Sequence, residues 1–145
     1  LETDYRIIVE YGPGDGVITK RILSSLTPDG QLVAIELDRD FRPELEKIKD
    51  RRLRVIYGDV MEIMPNLNLL RIDAIISGIP FSLMPTVVRK TIIGDTYTAL
   101  RTDGKFIVYQ ASLLVLPLLK KHFRSVSWRL EPRNLPPYFI MVARK

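Results

Sequence analysis

The segment from Ile7 to Ile18 constrains the fold more than any other part of the chain. A β-branched apolar run leads into Glu10, and a helical pattern opens at Val17 after three alternate glycines: Gly12, Gly14 and Gly16. Glycine accepts backbone angles that other residues avoid, and it lets the backbone approach a ligand closely. The free N–H groups at the start of the helix point into the same crevice. The segment therefore predicts a strand, a glycine turn and a helix that form a nucleotide-type cofactor site.

The rest of the chain alternates between strand and helix patterns. Strands are predicted over residues 6–10, 31–37, 53–57, 72–77, 105–109, 126–130 and 138–143. Helices are predicted over residues 17–26, 43–49, 85–100 and 113–122, with a kink or break at Pro117. This alternation indicates an α/β fold, a mostly parallel sheet with helices on both faces. The last two strands are predicted to form a hairpin, which adds one antiparallel strand.

Length and composition limit the class of protein. The 145 residues suit a single domain over residues 1–145. The absence of cysteine excludes disulfides and cysteine-based chemistry, and no metal site is predicted. No apolar stretch is long enough to span a bilayer and no signal peptide opens the chain, which is compatible with a cytoplasmic protein. Because the chain starts at Leu1 and a strand follows at once, we expect the natural protein to begin further upstream.

Two more acidic residues lie at predicted strand ends. Glu36 ends the second strand about twenty residues beyond the glycines, where a carboxylate can accept both hydroxyls of a ribose. Asp59 follows the third strand, where a carboxylate can accept a hydrogen bond from an adenine amine while the next backbone N–H donates to the ring. Each residue alone has a simpler explanation, a solvated strand end or an Asp turn. Their matching positions make the binding interpretation stronger.

These sites, in this order, resemble those of the class I S-adenosylmethionine-dependent methyltransferases. The resemblance covers almost the whole chain, and it implies a Rossmann-like sheet of seven strands with the last one antiparallel. The G-x-G-x-G spacing differs from the G-x-G-x-x-G of dinucleotide-binding dehydrogenases, although other nucleotide cofactors stay open. The resemblance implies S-adenosylmethionine as the cofactor, bound by Glu10, Gly12, Gly14, Gly16, Glu36, Asp59, Val60, Met61 and Ser77.

The segment from Ser77 to Phe81 occupies the place of the Asn-Leu-Pro-Tyr type motif of adenine-N6 methyltransferases, including the ribosomal RNA dimethylases. In those enzymes the Asn or Asp accepts a hydrogen bond from the target amine, and the aromatic residue stacks on the flipped base. Here Phe81 has the aromatic ring, but Gly78 stands where the amide or carboxylate belongs. The positions expected to line the approach to the methyl group, with no base among them, are Ser77, Gly78, Pro80 and Phe81.

Residues 75–85 and the ending 133–138 together resemble the bacterial phospholipid N-methyltransferases. That family implies methylation of the amine of phosphatidylethanolamine by an enzyme peripheral to the membrane, through an N-terminal amphipathic helix that this chain does not contain. On this interpretation Tyr109 and Tyr138 form the pocket wall, since aromatic faces favour a methylammonium product. Arg133 would meet the lipid phosphate.

Two other functions stay open. One is adenine-N6 methylation of ribosomal RNA, and the other is a cofactor-binding domain that has lost activity. The net charge of +5 suits nucleic acid and anionic lipid equally, so it does not separate them. The single histidine, His122, lies at a predicted helix end and is interpreted as a surface or capping residue.

Overall fold

Seven strands form one sheet in the computed structural model, which describes residues 4–69, 71–133 and 136–145. The strand order is β3-β2-β1-β4-β5-β7-β6. Strands β1 to β5 are parallel, and β7 is antiparallel to both β5 and β6. The strands are β1 Ile7–Tyr11, β2 Gln31–Glu36, β3 Leu53–Tyr57, β4 Ile72–Ser77, β5 Leu100–Gln110, β6 Ser125–Glu131 and β7 Tyr138–Arg144.

Helices cover the sheet on both faces, as the sequence predicted. They are α1 Val17–Ser25, α2 Arg42–Glu46, α3 Val60–Ile63, α4 Thr86–Ala99 and α5 Leu116–His122. Alternate strand residues point to opposite faces, which gives two separate apolar clusters. Ile8 and Ile76 pack with α1, whereas Val9 and Ile75 pack with α3, α4 and α5. No helix of the described residues is long and apolar enough to cross a membrane.

The boundaries around β5 differ from the prediction. The strand predicted over residues 105–109 starts at Leu100, so Asp103-Gly104, a dipeptide typical of turns, lies inside β5, and α4 ends one residue earlier than predicted. Asp103 adopts a φ of 60° there, and the backbone N–H of Lys145 donates to the carbonyl of Gly104 at 3.0 Å. The strand therefore continues through an irregular position, although the Asp-Gly dipeptide by itself is typical of a turn.

Two helical segments also differ. Pro117 lies in the first turn of α5, so it starts the helix and does not kink it. The short helix α3 was not predicted, and it begins because the side chain of Asp59 accepts a hydrogen bond from the N–H of Met61. The carboxyl ends of the parallel strands meet at one edge of the sheet, and that edge carries the predicted site.

Candidate active site

The three glycines of the turn after β1 all have positive φ, 69° at Gly12, 55° at Gly14 and 80° at Gly16. A Cβ atom at Gly12 would lie 2.9 Å from the side chain of Ile79, and one at Gly16 would lie 2.7 Å from Ile48. At Gly14 the nearest atom would be 4.0 Å away. Gly12 and Gly16 are therefore constrained both by φ and by neighbouring isoleucine side chains, whereas Gly14 is constrained by φ and has open space around a new Cβ.

Glu36 is held rigidly beside this turn. One carboxylate oxygen accepts a hydrogen bond from the N–H of Gly14 at 2.9 Å, and the other accepts from the N–H of Asp38 at 2.8 Å. Only 5% of the residue is exposed. Each oxygen keeps a second lone pair, so the carboxylate can still accept the hydroxyls of a ligand. This is the arrangement that a ribose-binding residue needs.

Glu10 is fully buried at the end of β1, under the glycine turn. Its Oε2 accepts a hydrogen bond from the hydroxyl of Thr19 at 2.7 Å, and its Oε1 has no hydrogen-bond partner among the described residues. Burial raises the pKa of Glu10 to about 7; the bond from Thr19 lowers it and the nearby charge of Glu36 raises it further. An unpartnered buried carboxylate oxygen suits a cationic ligand group.

Asp59 begins α3 at the end of the third strand, and its Oδ1 accepts the N–H of Met61 at 2.8 Å. This bond occupies the Met61 amide, which favours the amide of Val60 for contact with an adenine ring. Val60 is buried and Met61 is half-buried at the same edge of the sheet.

The segment after β4 is only partly as expected. Ser77 is fully buried with no hydrogen-bond partner for its hydroxyl among the described residues, while Gly78 is half-buried and Pro80 is exposed. Phe81 is also fully buried, and its ring packs edge-on against Phe106 with the centroids 6.3 Å apart. The prediction that Phe81 lines the approach to the methyl group is therefore wrong in this conformation. Its ring belongs to the core because the apolar contacts with β5 bury it.

Tyr109 and Tyr138, for which a role in the pocket wall was predicted, lie together in the structure. Their ring centroids are 6.4 Å apart. A Cβ at Gly78 would lie 2.7 Å from Cζ of Tyr109, so this ring occupies the space beside the glycine. Burial raises the pKa of Tyr109, and the charges of Glu10 and other nearby acids add to the rise. The phenol therefore stays protonated at neutral pH.

A groove of about 1020 Å³ continues from this tyrosine pair along the α1 side of the sheet. Apolar strand residues form its floor: Ile76, Ile107, Ile140 and Val142. Exposed basic residues and an exposed indole stand around it: Arg21, Arg129, Arg133 and Trp128. No sequence motif marked Arg21 or Trp128, since they come from α1 and β6 and only the fold brings them together. Two residues of the predicted 133–138 segment, Asn134 and Leu135, lie outside the described residues.

The described residues fit S-adenosylmethionine. The unpartnered oxygen of Glu10 suits an ammonium group, the open face of Gly14 admits a ligand against the backbone, and Glu36 suits a ribose. Asp59 caps α3 at the next strand end, where the adenine contact is predicted. The particular contact of each residue with the cofactor stays a prediction.

The sheet order and the glycine turn define a class I S-adenosylmethionine-dependent methyltransferase, and solved structures have the same fold. Human methyltransferase-like protein 13 in complex with SAH aligns with a TM-score of 0.78 at 16% identity, covering 96% of this chain and 71% of that one. The O-methyltransferase TomG of Streptomyces achromogenes, in complex with SAM, aligns with a TM-score of 0.75 at 18% identity, covering 99% and 74%.

The chain belongs to the ribosomal RNA adenine dimethylase family, whose sequence model matches residues 3–102. It is 30% identical to an ornithine lipid N-methyltransferase of Singulisphaera acidiphila over 138 residues, 91% of this chain and 72% of that enzyme. It is 27% identical to ribosomal RNA small subunit methyltransferase A of Erythrobacter litoralis over 95 residues, 63% of this chain but only 33% of that enzyme. The ribosomal RNA relatives are therefore matched over a minor part of their own length.

Proposed function

We propose that this methyltransferase transfers methyl groups to the amine of a membrane lipid. Phosphatidylethanolamine is the lipid that the sequence resemblance implied, and the similar ornithine lipid enzyme makes an ornithine lipid the other candidate. The observation that carries the proposal is the groove, which joins the tyrosine pair to an apolar floor. An acyl chain suits that floor, and the surrounding arginines suit an anionic headgroup. Activity at a membrane surface is part of the same proposal.

Adenine-N6 methylation of RNA is the second candidate, because the family match covers residues 3–102. Two features weigh against it. Gly78 has no side chain to accept a hydrogen bond from the adenine amine. The buried ring of Phe81 is not presented for stacking on a flipped base.

The proposed reaction requires mainly that the acceptor amine is aligned with the methyl group. S-adenosylmethionine, when bound, would supply an electrophilic methyl group. The amine lone pair would form the new nitrogen–carbon bond, the electrons of the broken carbon–sulfur bond would stay on sulfur, and the amine proton would pass to water. The protein contributes by holding the neutral amine in line, excluding competing orientations and stabilising the positive charge that moves from sulfur to nitrogen. Glu36 supplies negative charge at the site edge, Glu10 adds to it when it is ionised, and the aromatic faces of Tyr109 and Tyr138 favour an alkylated ammonium product.

The test is incubation of the full-length protein with cofactor labelled at the methyl group and four acceptors. These are anionic vesicles containing phosphatidylethanolamine, anionic vesicles containing an ornithine lipid, anionic vesicles containing neither amine, and ribosomal RNA. We expect label in one or both amine-containing lipids only. N6-methyladenine in the RNA with unlabelled lipid would replace the proposal with the second candidate. Cofactor binding without any labelled acceptor would identify an inactive domain.

A matched pair of variants tests the groove. Arg129→Gln removes a basic residue from the groove, and we expect a severalfold higher KM for lipid with unchanged cofactor affinity. Lys90→Gln removes an exposed charge on α4, on the opposite face of the sheet, and serves as the control. Equal effects of the two changes on KM would mean that positive charge acts generally and the groove does not bind lipid.

A further inference from the structure

We propose that the hydroxyl of Tyr109 replaces the side chain that Gly78 lacks, and that it holds the acceptor amine for methyl transfer. The inference rests on the proposed function in taking an amine as the acceptor. It adds a binding residue from β5 to a step for which Gly78 offers no side chain.

The first support is geometric. Ser77 of β4 pairs with Val108 of β5, so the next residues along the two strands, Gly78 and Tyr109, come side by side. The N–H of Gly78 donates to the carbonyl of Tyr11 at 2.9 Å, which fixes its backbone. A Cβ on Gly78 would lie 2.7 Å from Cζ and 3.0 Å from Cε2 of Tyr109, with the hydroxyl nearer still. Gly78 and Tyr109 therefore depend on each other, because a side chain at the first position excludes the ring of the second.

The second support is chemical. The Tyr109 side chain is half-buried and its hydroxyl has no hydrogen-bond partner in the part of the chain that the structure describes. Burial and the negative charges of Glu10, Asp15 and Glu36 keep its proton in place. The neutral hydroxyl oxygen can accept an N–H of the acceptor, which leaves the nitrogen lone pair free to point at the methyl group. An amide oxygen on residue 78 would do the same from the neighbouring strand.

The arrangement also favours one class of amine. The rings of Tyr109 and Tyr138 stand at 65° to each other, so they form a corner and not a parallel slot. A corner of aromatic faces beside carboxylates suits a rounded alkylammonium group, whereas a flat base needs parallel faces. The inferred specificity is therefore for an aliphatic amine.

The first test is Tyr109→Phe, which removes the hydroxyl and keeps the ring against Gly78. We expect kcat/KM for the lipid amine to fall at least tenfold, the order of one lost hydrogen bond to a charged or reacting group, with unchanged cofactor affinity by calorimetry. Tyr97→Phe is the control, because Tyr97 packs against Phe123 on the opposite face of the sheet. An undiminished kcat/KM in Tyr109→Phe would overturn the inference.

The comparison uses whichever acceptor the wild-type protein labels, which separates the two proposals. Label in RNA with a tenfold loss in Tyr109→Phe would refute the lipid substrate but keep the role of the hydroxyl. Label in lipid with an unchanged kcat/KM in Tyr109→Phe would keep the lipid substrate but refute the role of the hydroxyl. A wild-type protein that labels nothing would overturn both.

The steric dependence has its own test, which needs no activity. Gly78→Ala should lower the midpoint of urea unfolding in the wild-type background, and it should cost much less in the Tyr109→Ala background, where the ring is absent. The difference between the two costs is the coupling measured in a double-mutant cycle. Additive effects, or a Gly78→Ala protein as stable as the wild type, would show that the ring is not the obstacle and would overturn the inference.

Discussion

The buried carboxylate of Glu10 should make the stability of the protein depend on pH in an unusual direction. Burial raises its pKa from 4.5 to about 7, so the folded state holds the proton more strongly than the unfolded state does. Stability is therefore lost as pH rises from about 4.5 to about 7, and the loss is complete above that range. Since one pKa unit corresponds to about 1.4 kcal/mol, the ionised carboxylate costs the folded protein about 3 kcal/mol.

The perturbation that tests this reasoning is Glu10→Gln, which keeps the shape and cannot ionise. The free energy of unfolding is measured in urea from pH 5 to pH 8.5 for the variant and the wild type. Their difference should move by about 2.5 kcal/mol in favour of the variant over this range, since part of the loss already occurs below pH 5. Burying the neutral amide of glutamine has a cost that does not depend on pH. That cost would shift the unfolding free energy of the variant equally at every pH and leave its slope against pH unchanged. Glu62→Gln, an exposed change on α3, is the control and should follow the wild type.

Cofactor binding should show the opposite trend. If the unpartnered oxygen of Glu10 accepts the ammonium of the cofactor, wild-type affinity should rise with pH up to about 7, and calorimetry in different buffers should detect proton release below that pH. Glu10→Gln should bind more weakly and without that dependence. Parallel pH curves of stability for the wild type and Glu10→Gln would refute the raised pKa, and unchanged affinity would refute the contact.

Three further changes have defined outcomes. Gly14→Val should remove cofactor binding in calorimetry. The φ of 55° makes valine strained there, at a cost of about 1–3 kcal/mol, but no atom lies closer than 4.0 Å to the new Cβ, so the far-UV circular dichroism should be retained; loss of the fold would make this glycine structural. Asp73→Ala should lower the unfolding free energy by about 2–4 kcal/mol, since its carboxylate accepts the N–H groups of Arg6 and Ile7 and pairs with Arg101; a change under about 0.5 kcal/mol would contradict this. Gly94→Ala should raise the unfolding free energy by about 0.5–1 kcal/mol, because the residue lies inside α4 with no atom within 4 Å of a new Cβ; a destabilised variant would show unrecognised crowding.

The parts of the fold that depend on local pattern were predicted from the sequence. Strand periodicity located all seven strands, and the alternate glycines located the turn after β1. Glu36 was found because an acidic residue ends a strand beside the glycine turn, and the structure joins the two through the bond from Gly14. These signals are short in range, so the sequence contains them directly.

The predictions that were wrong concern a strand boundary and a side-chain contact, and both depend on residues distant in the sequence. Asp103-Gly104 has the composition of a turn, yet pairing with Lys145 at the end of the chain keeps it in β5. Phe81 stands in a motif that places an aromatic ring at the substrate, yet contact with Phe106, 25 positions further along the chain, buries it. Neither outcome has a local signature, because each is decided by which strand lies next to the segment.

Gly78 illustrates how such a distant contact changes a functional interpretation. From the sequence, the glycine is the loss of an amine-holding side chain from a known motif. In the fold, the space of that side chain is filled by Tyr109 from the neighbouring strand, and its hydroxyl brings a hydrogen-bonding oxygen to the same edge of the sheet. An amide side chain at position 78 and a glycine that leaves space for the Tyr109 hydroxyl can therefore provide the same hydrogen-bonding oxygen. Only the pairing of β4 with β5 distinguishes the two cases, so glycine at this motif position is not by itself a sign of lost activity.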